Sequence, residues 1–180
     1  MTHPPGARDR FEAIYHAYYP AIHQYAARRT GSPEDTADVL SETFLTAWRR
    51  IADVPEGEQA RLWLYGVARR VLANQRRALS RRAGLTERLK DASATRPVSR
   101  GDGLDHVREA FDDLSVRDRE VLALACWEEL SGPEIGKVLG CTGTAARIRL
   151  HRARKRLARA LGLATVEEDQ AIVELRGENL

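Results

Sequence analysis

The sequence predicts an all-α protein made of two small helical domains joined by a flexible linker. Three observations predict it. Apolar residues recur at the helical period, and no strand-like alternation of useful length occurs. Helix-starting and helix-stopping residues punctuate that pattern. A small, polar stretch containing proline and glycine, DASATRPVSRGDG at 91–103, interrupts it near the middle. At 180 residues the chain is long enough for one ordinary domain or two small ones.

The first helix is expected over 8–29, with Phe11, Ile14, Tyr15, Tyr18, Ile22 and Tyr25 as its apolar stripe. Pro20 lies inside that pattern and is expected to kink or divide the helix, because its ring clashes with the preceding turn. Gly31 stops it. The next start is Ser32 as N-cap, Pro33 at the first helical position, and Glu34 and Asp35 at the positive end of the helix dipole. This helix runs to about 51, with Ala37, Leu40, Phe44, Trp48 and Ile51 facing inward. A loop at 53–58 holds Pro55 and Gly57. The third helix spans about 59–82, its apolar positions being Leu62, Tyr65, Val67, Ala68, Val71, Leu72 and Leu79.

A second helical block begins near Leu104. Ser115 caps a helix that runs to about 127. Ser131 and Glu134 form a capping box that opens a short helix at 133–139. Gly140 breaks it, and Thr142 caps a long helix to about 161. The boundaries are therefore 8–90 for the first domain, 91–104 for the linker, 105–162 for the second domain and 163–180 for an acidic tail. A linker of this length, fully extended, reaches about 45 Å. It allows the halves to dock at separated points on one large partner.

Charge is segregated along the chain, although the net charge is only +3. Residues 31–60 are acidic, 61–90 are strongly basic, the helix after Gly143 is basic again, and the tail is acidic. Such segregation points to separate surfaces for separate partners, one of them nucleic acid. Cys126 and Cys141 sit among apolar residues and read as buried free thiols, in keeping with a reducing cytoplasm. The histidines have no ligand partners at metal spacing, so no metal site is expected. No apolar run approaches ~18 residues and no signal peptide opens the chain, so a soluble cytoplasmic protein without membrane insertion is expected. There is no nucleophile–base–orienter set and no phosphate loop, so neither an enzyme nor a cofactor nor a small-molecule substrate is expected.

A short helix, a glycine turn and a long helix make a helix-turn-helix. Gly136 is small where the two helices cross closely. Ala146, Leu150, Ala153 and Leu157 form a stripe facing their own domain. The remaining surface carries Arg147, Arg149, Arg152, Arg154, Lys155 and Arg156 and no acid. An exposed helix usually alternates charge sign. Here the missing acids are the phosphates of DNA. In the first domain Asp38 and Glu42 lie four apart, opposite Phe44 and Trp48, as a solvated face or a docking face for a basic partner. The helix RLWLYGVARRVLANQRR interleaves aromatic rings with arginines, which suits melted DNA. Taken alone, Trp63 and Tyr65 each read more readily as core packing.

Three blocks in order resemble the extracytoplasmic-function sigma factors of bacterial RNA polymerase: FEAIYHAYYPAIHQYAARRTGSPEDTADVLSETFLTAWRR, WLYGVARRVLANQRR and LSVRDREVLALACWEELSGPEIGKVLGCTGTAARIRLHRARKRL. The resemblance covers nearly the whole chain and implies sigma domain two, then helix-turn-helix sigma domain four, without a third domain between them. It implies an alternative sigma factor that binds core RNA polymerase, directs it to −35 and −10 promoter elements and opens the DNA. By similarity Asp38, Ser41 and Glu42 contact the clamp helices of the largest polymerase subunit. Arg61, Trp63, Arg69, Arg70, Asn74 and Arg77 capture the −10 element, with a base flipped out of the duplex. Thr142, Thr144, Arg147, Ile148, Arg149, His151, Arg152 and Arg154 read the −35 element in the major groove. An anti-sigma factor is the expected restraining partner.

The chain departs from the family pattern at Ser41 (commonly glutamine), Arg70 (asparagine), Asn74 (aspartate), Thr144 (glycine) and Ile148 (serine). Ile148 either touches a thymine methyl or packs, and packing is slightly favoured. Two other roles compete: a conventional helix-turn-helix regulator acting on duplex DNA without polymerase, and a sigma-like protein that binds polymerase unproductively.

Overall fold

The computed structural model describes residues 5–86 and 105–163. The expected linker and the acidic tail beyond Leu163 lie outside the described residues. Among those described there are helices and no strand.

Helix α1 (Ala7–Ala27) passes through Pro20 undivided. Ile14 lies buried before the proline and Ile22, Tyr25 and Ala26 after it, so tertiary packing holds both halves of the helix in place. Helix α2 (Pro33–Arg49) starts as the sequence requires: the Ser32 hydroxyl accepts the Asp35 amide at 3.0 Å. Its inward face is Thr36, Val39, Leu40, Thr43, Phe44 and Ala47. Trp48 is half-buried, and Ala37 is exposed rather than inward, one position off the true stripe. A 3₁₀ turn (Ile51–Asp53) follows. The segment beyond it is tied to α1: the Tyr18 hydroxyl donates to the Gly57 carbonyl at 2.9 Å, and the Arg10 guanidinium to the Val54 carbonyl.

Helix α3 (Glu58–Thr86) is buried nearly all round between Leu62 and Ala68. Such a helix has neighbours on more than one side. Helices α1 and α2 cover one side, and helix α6 of the second domain covers another. Leu79 lies beyond that cover and is exposed, not inward as expected.

The second domain comprises α4 (Asp105–Asp112), α5 (Val116–Cys126), α6 (Gly132–Leu139) and α7 (Gly143–Ala160). Ser115 caps α5 through the Asp118 amide at 3.2 Å, and Arg119 ties α5 back to the Asp112 carbonyl at 2.7 Å. The Glu134 carboxylate reaches back to the Ser131 amide at 2.8 Å. Gly140 ends α6 in the left-handed conformation, φ 68°. At Gly136 an added Cβ would lie 2.7 Å from the Cys141 carbonyl oxygen and 3.0 Å from the Gly143 nitrogen, so only glycine lets α6 and α7 approach this closely. The two cysteines are not the buried thiols expected: Cys126 is exposed and Cys141 half-buried. Cys126 ends α5, where the helix leaves the core.

The two domains are packed together rather than held apart. Lys137 donates to Gln59 at 2.6 Å, Arg69 to Glu120 at 2.8 Å, and Arg29 to Glu128 at 3.0 Å. The apolar core is continuous across the boundary. Complementary charge around a shared apolar strip brings α5 and α6 onto α3.

Candidate nucleic-acid interface

Helix α7 takes its orientation from alanine. Ala146 and Ala153 are fully buried, with Leu150 and Leu157 packed beside them, and Thr142 caps the start by accepting the Ala145 amide at 3.1 Å. With a turn of about 100° per residue, this stripe leaves Thr144, Ile148, His151, Arg152 and Lys155 on the opposite face. All the positions expected to read duplex DNA are exposed: Thr142, Thr144, Arg147, Ile148, Arg149, His151, Arg152 and Arg154. The expectation that Ile148 packs is overturned, since it is 47% exposed. It stands diametrically away from the alanine stripe, where no core is within reach.

Two arginines at the start of α7 are positioned by their own domain. The Arg147 stem crosses Gly132, where an added Cβ would lie 2.5 Å from its Cγ, and its guanidinium donates to the Thr144 hydroxyl at 3.4 Å. Arg149 approaches the Cys141 sulfur at 3.6 Å. Arg156, one of the cations expected to face phosphate, instead grips both carboxylate oxygens of Asp118 at 2.8 Å each. Asp118 also accepts the Ser115 hydroxyl at 2.8 Å, so Arg156 joins the end of α7 to the cap of α5.

The residues expected to meet melted DNA fall into two sets on α3. Trp63, Arg70, Asn74 and Arg77 recur at helical spacing and share one face. Arg70, Asn74 and Arg77 are exposed, and Trp63 is half-buried with the Arg50 guanidinium 5.8 Å from its ring centre. Arg77 donates to the Asn74 side chain at 2.7 Å. Arg61 and Arg69 turn elsewhere. Arg61 stands 3.1 Å from Glu58, off the line a hydrogen bond needs. Arg69 is held by Glu120 of the second domain. Tyr65 is core, packed on Tyr25 with ring centres 5.1 Å apart.

On α2, Asp38, Ser41 and Glu42 are exposed together, opposite the buried stripe. Sequence reasoning missed Leu45, which is 38% exposed in the middle of the same face. Its spacing of seven from Asp38 and four from Ser41 was the available signal. Also missed was the cluster of Arg28, Arg29, Trp127 and Glu128 at the domain boundary. The two guanidiniums lie 5.8 and 6.0 Å from the Trp127 ring centre, and Arg29 lies 3.7 Å from that of Tyr25. Burial is the main reason the Tyr25 phenol is pushed up to about 12.

Comparison with known proteins finds two family descriptions in this chain. Sigma-70 region 2 matches residues 14–82, and Sigma-70, region 4 matches residues 104–157. The RNA polymerase sigma factor YlaC of Bacillus subtilis is 30% identical over 169 residues, covering 89% of this chain and 97% of that protein. The ECF RNA polymerase sigma factor SigL of Mycobacterium tuberculosis is 29% identical over 160 residues, covering 86% of this chain and 88% of the other. Among solved structures, CnrH in complex with the cytosolic domain of CnrY matches with a TM-score of 0.57 at 26% identity, covering 86% of this chain and 89% of that one. The sigma factor RpoE of Bartonella quintana, in complex with the anti-sigma factor NepR, shares the fold with a TM-score of 0.66 at 23% identity, covering 86% and 98%.

Proposed function

The chain belongs to the extracytoplasmic-function sigma factors of RNA polymerase, and from that membership we propose a division of labour among its exposed faces. As an alternative sigma factor it directs RNA polymerase to promoters. The outward face of α7 enters the major groove of the −35 element, with Arg147 and Arg149 toward base edges and Arg152 and Arg154 toward phosphates. The face of Trp63, Arg70, Asn74 and Arg77 meets the −10 element as it melts, the ring offering a stacking surface and the arginines following the backbone. Arg61 and Arg69 join that set once the second domain leaves α3. Asp38, Ser41, Glu42 and Leu45 dock on the clamp helices of the largest polymerase subunit.

The observation that carries this reading is the orientation of α7. Its two fully buried alanines leave an arginine-rich surface outside, with no acidic residue among its cations. The work is binding and strand opening rather than turnover, and its place is the cytoplasm, where polymerase and DNA are. Among the described residues no helix is long and apolar enough to cross a membrane. The restraining partner is an anti-sigma factor. The complex of CnrH with the cytosolic domain of CnrY supports that choice.

The test is transcription in vitro. The protein is added to sigma-free core polymerase on fragmented genomic DNA of its source, and new 5′ ends are sequenced. Starts that share −10 and −35 motifs are expected. Binding to core without starts would make the protein an unproductive sigma-like factor. Retention of duplex sites without binding to core would make it a conventional regulator.

A further inference from the structure

We propose that Ile148 is a specificity-determining residue that reads the C5-methyl group of one thymine in the −35 element. The proposal rests on the reading of α7 as the duplex-reading helix. It adds which side chain reads which chemical group.

Four observations converge on Ile148. It is 47% exposed although it is one of the most apolar side chains of its domain. Its direction is opposite the buried Ala146 and Ala153, so it lies on the midline of the face that would enter a groove. Its neighbours one turn before and one turn after on that face are Thr144 and Arg152, both exposed, so no second apolar residue extends it into a protein-docking patch. It lies in the N-terminal half of α7, the part of a recognition helix that reaches base edges.

A β-branched residue at an exposed helical position is a poor choice for stability, where alanine, lysine or arginine favours the helix more. It also adds nothing to the attraction for phosphates. The thymine methyl is the one apolar group the four standard bases present in the major groove. An isoleucine on the midline of the reading face buries its own methyls and that methyl together, and gains nothing from cytosine or from uracil. Arg147, braced across Gly132 and against Thr144, flanks Ile148 on one side and leaves the midline free.

The experiment uses the full chain and two templates. First, the chain alone is selected at low salt against a pool of random-sequence duplexes, in parallel with Ile148→Ala. Second, on promoters found by 5′-end mapping, each −35 thymine is replaced singly by uracil and binding of the holoenzyme is measured. Removal of one buried methyl is worth about fourfold in affinity. The expected result is one thymine column in the selection that I148A no longer enriches. One uracil substitution should weaken wild-type binding about fourfold and leave I148A unchanged.

The inference is overturned if no thymine responds to uracil, or if I148A responds as the wild type does. Failure of the sigma reading looks different. Core polymerase would then give no starts, while the thymine column in the duplex selection would still depend on Ile148.

Discussion

Arg29 and Glu128 join the two domains through a doubled contact. The two terminal nitrogens of Arg29 lie 3.0 and 3.3 Å from the two carboxylate oxygens of Glu128. The side chains are 9% and 2% exposed. A carboxylate this deeply placed depends on its closest partner: without Arg29 it keeps only Arg28, more exposed and 3.5 Å away, and it cannot regain its hydration there. Arg29→Met is expected to destabilise the folded chain by about 2 kcal/mol in urea denaturation. The double variant R29M/E128Q should lose clearly less than the two single variants summed. Small-angle scattering should show the single variant expanded relative to the wild type.

The crossing of α6 and α7 depends on Gly136. Gly136→Ala is expected to lower stability by about 1–3 kcal/mol, since the new Cβ meets backbone atoms that cannot turn aside. Gly31→Ala, whose Cβ would meet open space, is the matched control and should change stability by less than about 0.5 kcal/mol. Thermal melts of both variants give the comparison.

Arg152 is exposed on the outer face of α7, and the proposed function assigns it to phosphate. In Arg152→Ala the slope of log affinity against log salt for a −35 duplex should become shallower by about 0.9. The affinity should fall by a similar factor on every duplex sequence tested. Titrations at several salt concentrations, on two unrelated sequences, measure both.

Tyr25 makes stability depend on pH at the alkaline end. Its phenol is raised from 10.0 to about 12, by burial first, against the opposing pull of Arg29. A folded-state value above the unfolded one means that the contribution is complete below pH 10 and is lost as pH rises toward about 12. Spectrophotometric titration should show Tyr25 among the late phenolates, together with Tyr65, which burial also raises, and unfolding should become easier across that window. Tyr25→Phe should remove one late phenolate, leave that of Tyr65, and weaken the alkaline loss of stability.

Local signals in the sequence carried most of the second domain. The Ser115 and Thr142 caps, the Ser131–Glu134 box and the Ala146–Leu157 stripe act over one or two turns, and each appears where its residues place it. What stayed hidden was long-range. Glu128 reads as one more acid at a helix end, because its partners lie 99 and 100 residues away. Nothing local to Arg69 shows that Glu120, 51 residues on, is brought beside it. Ala37 and Leu79 read as core because periodicity marks apolar spacing but not where a neighbouring helix stops. Pro20 reads as a break, because its local cost is visible and the packing that outweighs it is not. The face of Asp38, Glu42 and Leu45 was legible as exposed, and the missing leucine was a matter of counting one turn further.

On the proposed role of Arg69 at the −10 strand, its ion pair with Glu120 makes the chain its own competitor for promoter DNA. The Arg69 guanidinium, 2.8 Å from a carboxylate, already has its charge offset, so a phosphate gains less from it. Apparent affinity for the −10 strand is therefore the intrinsic affinity multiplied by the fraction of molecules whose domains have parted. Added salt acts on both sides of that product. It screens the arginines from DNA, and it also frees Arg69 from Glu120. The loss of −10 binding with ionic strength should accordingly be gentler than the number of phosphates contacted implies, and replacing Glu120 with glutamine should make it steeper.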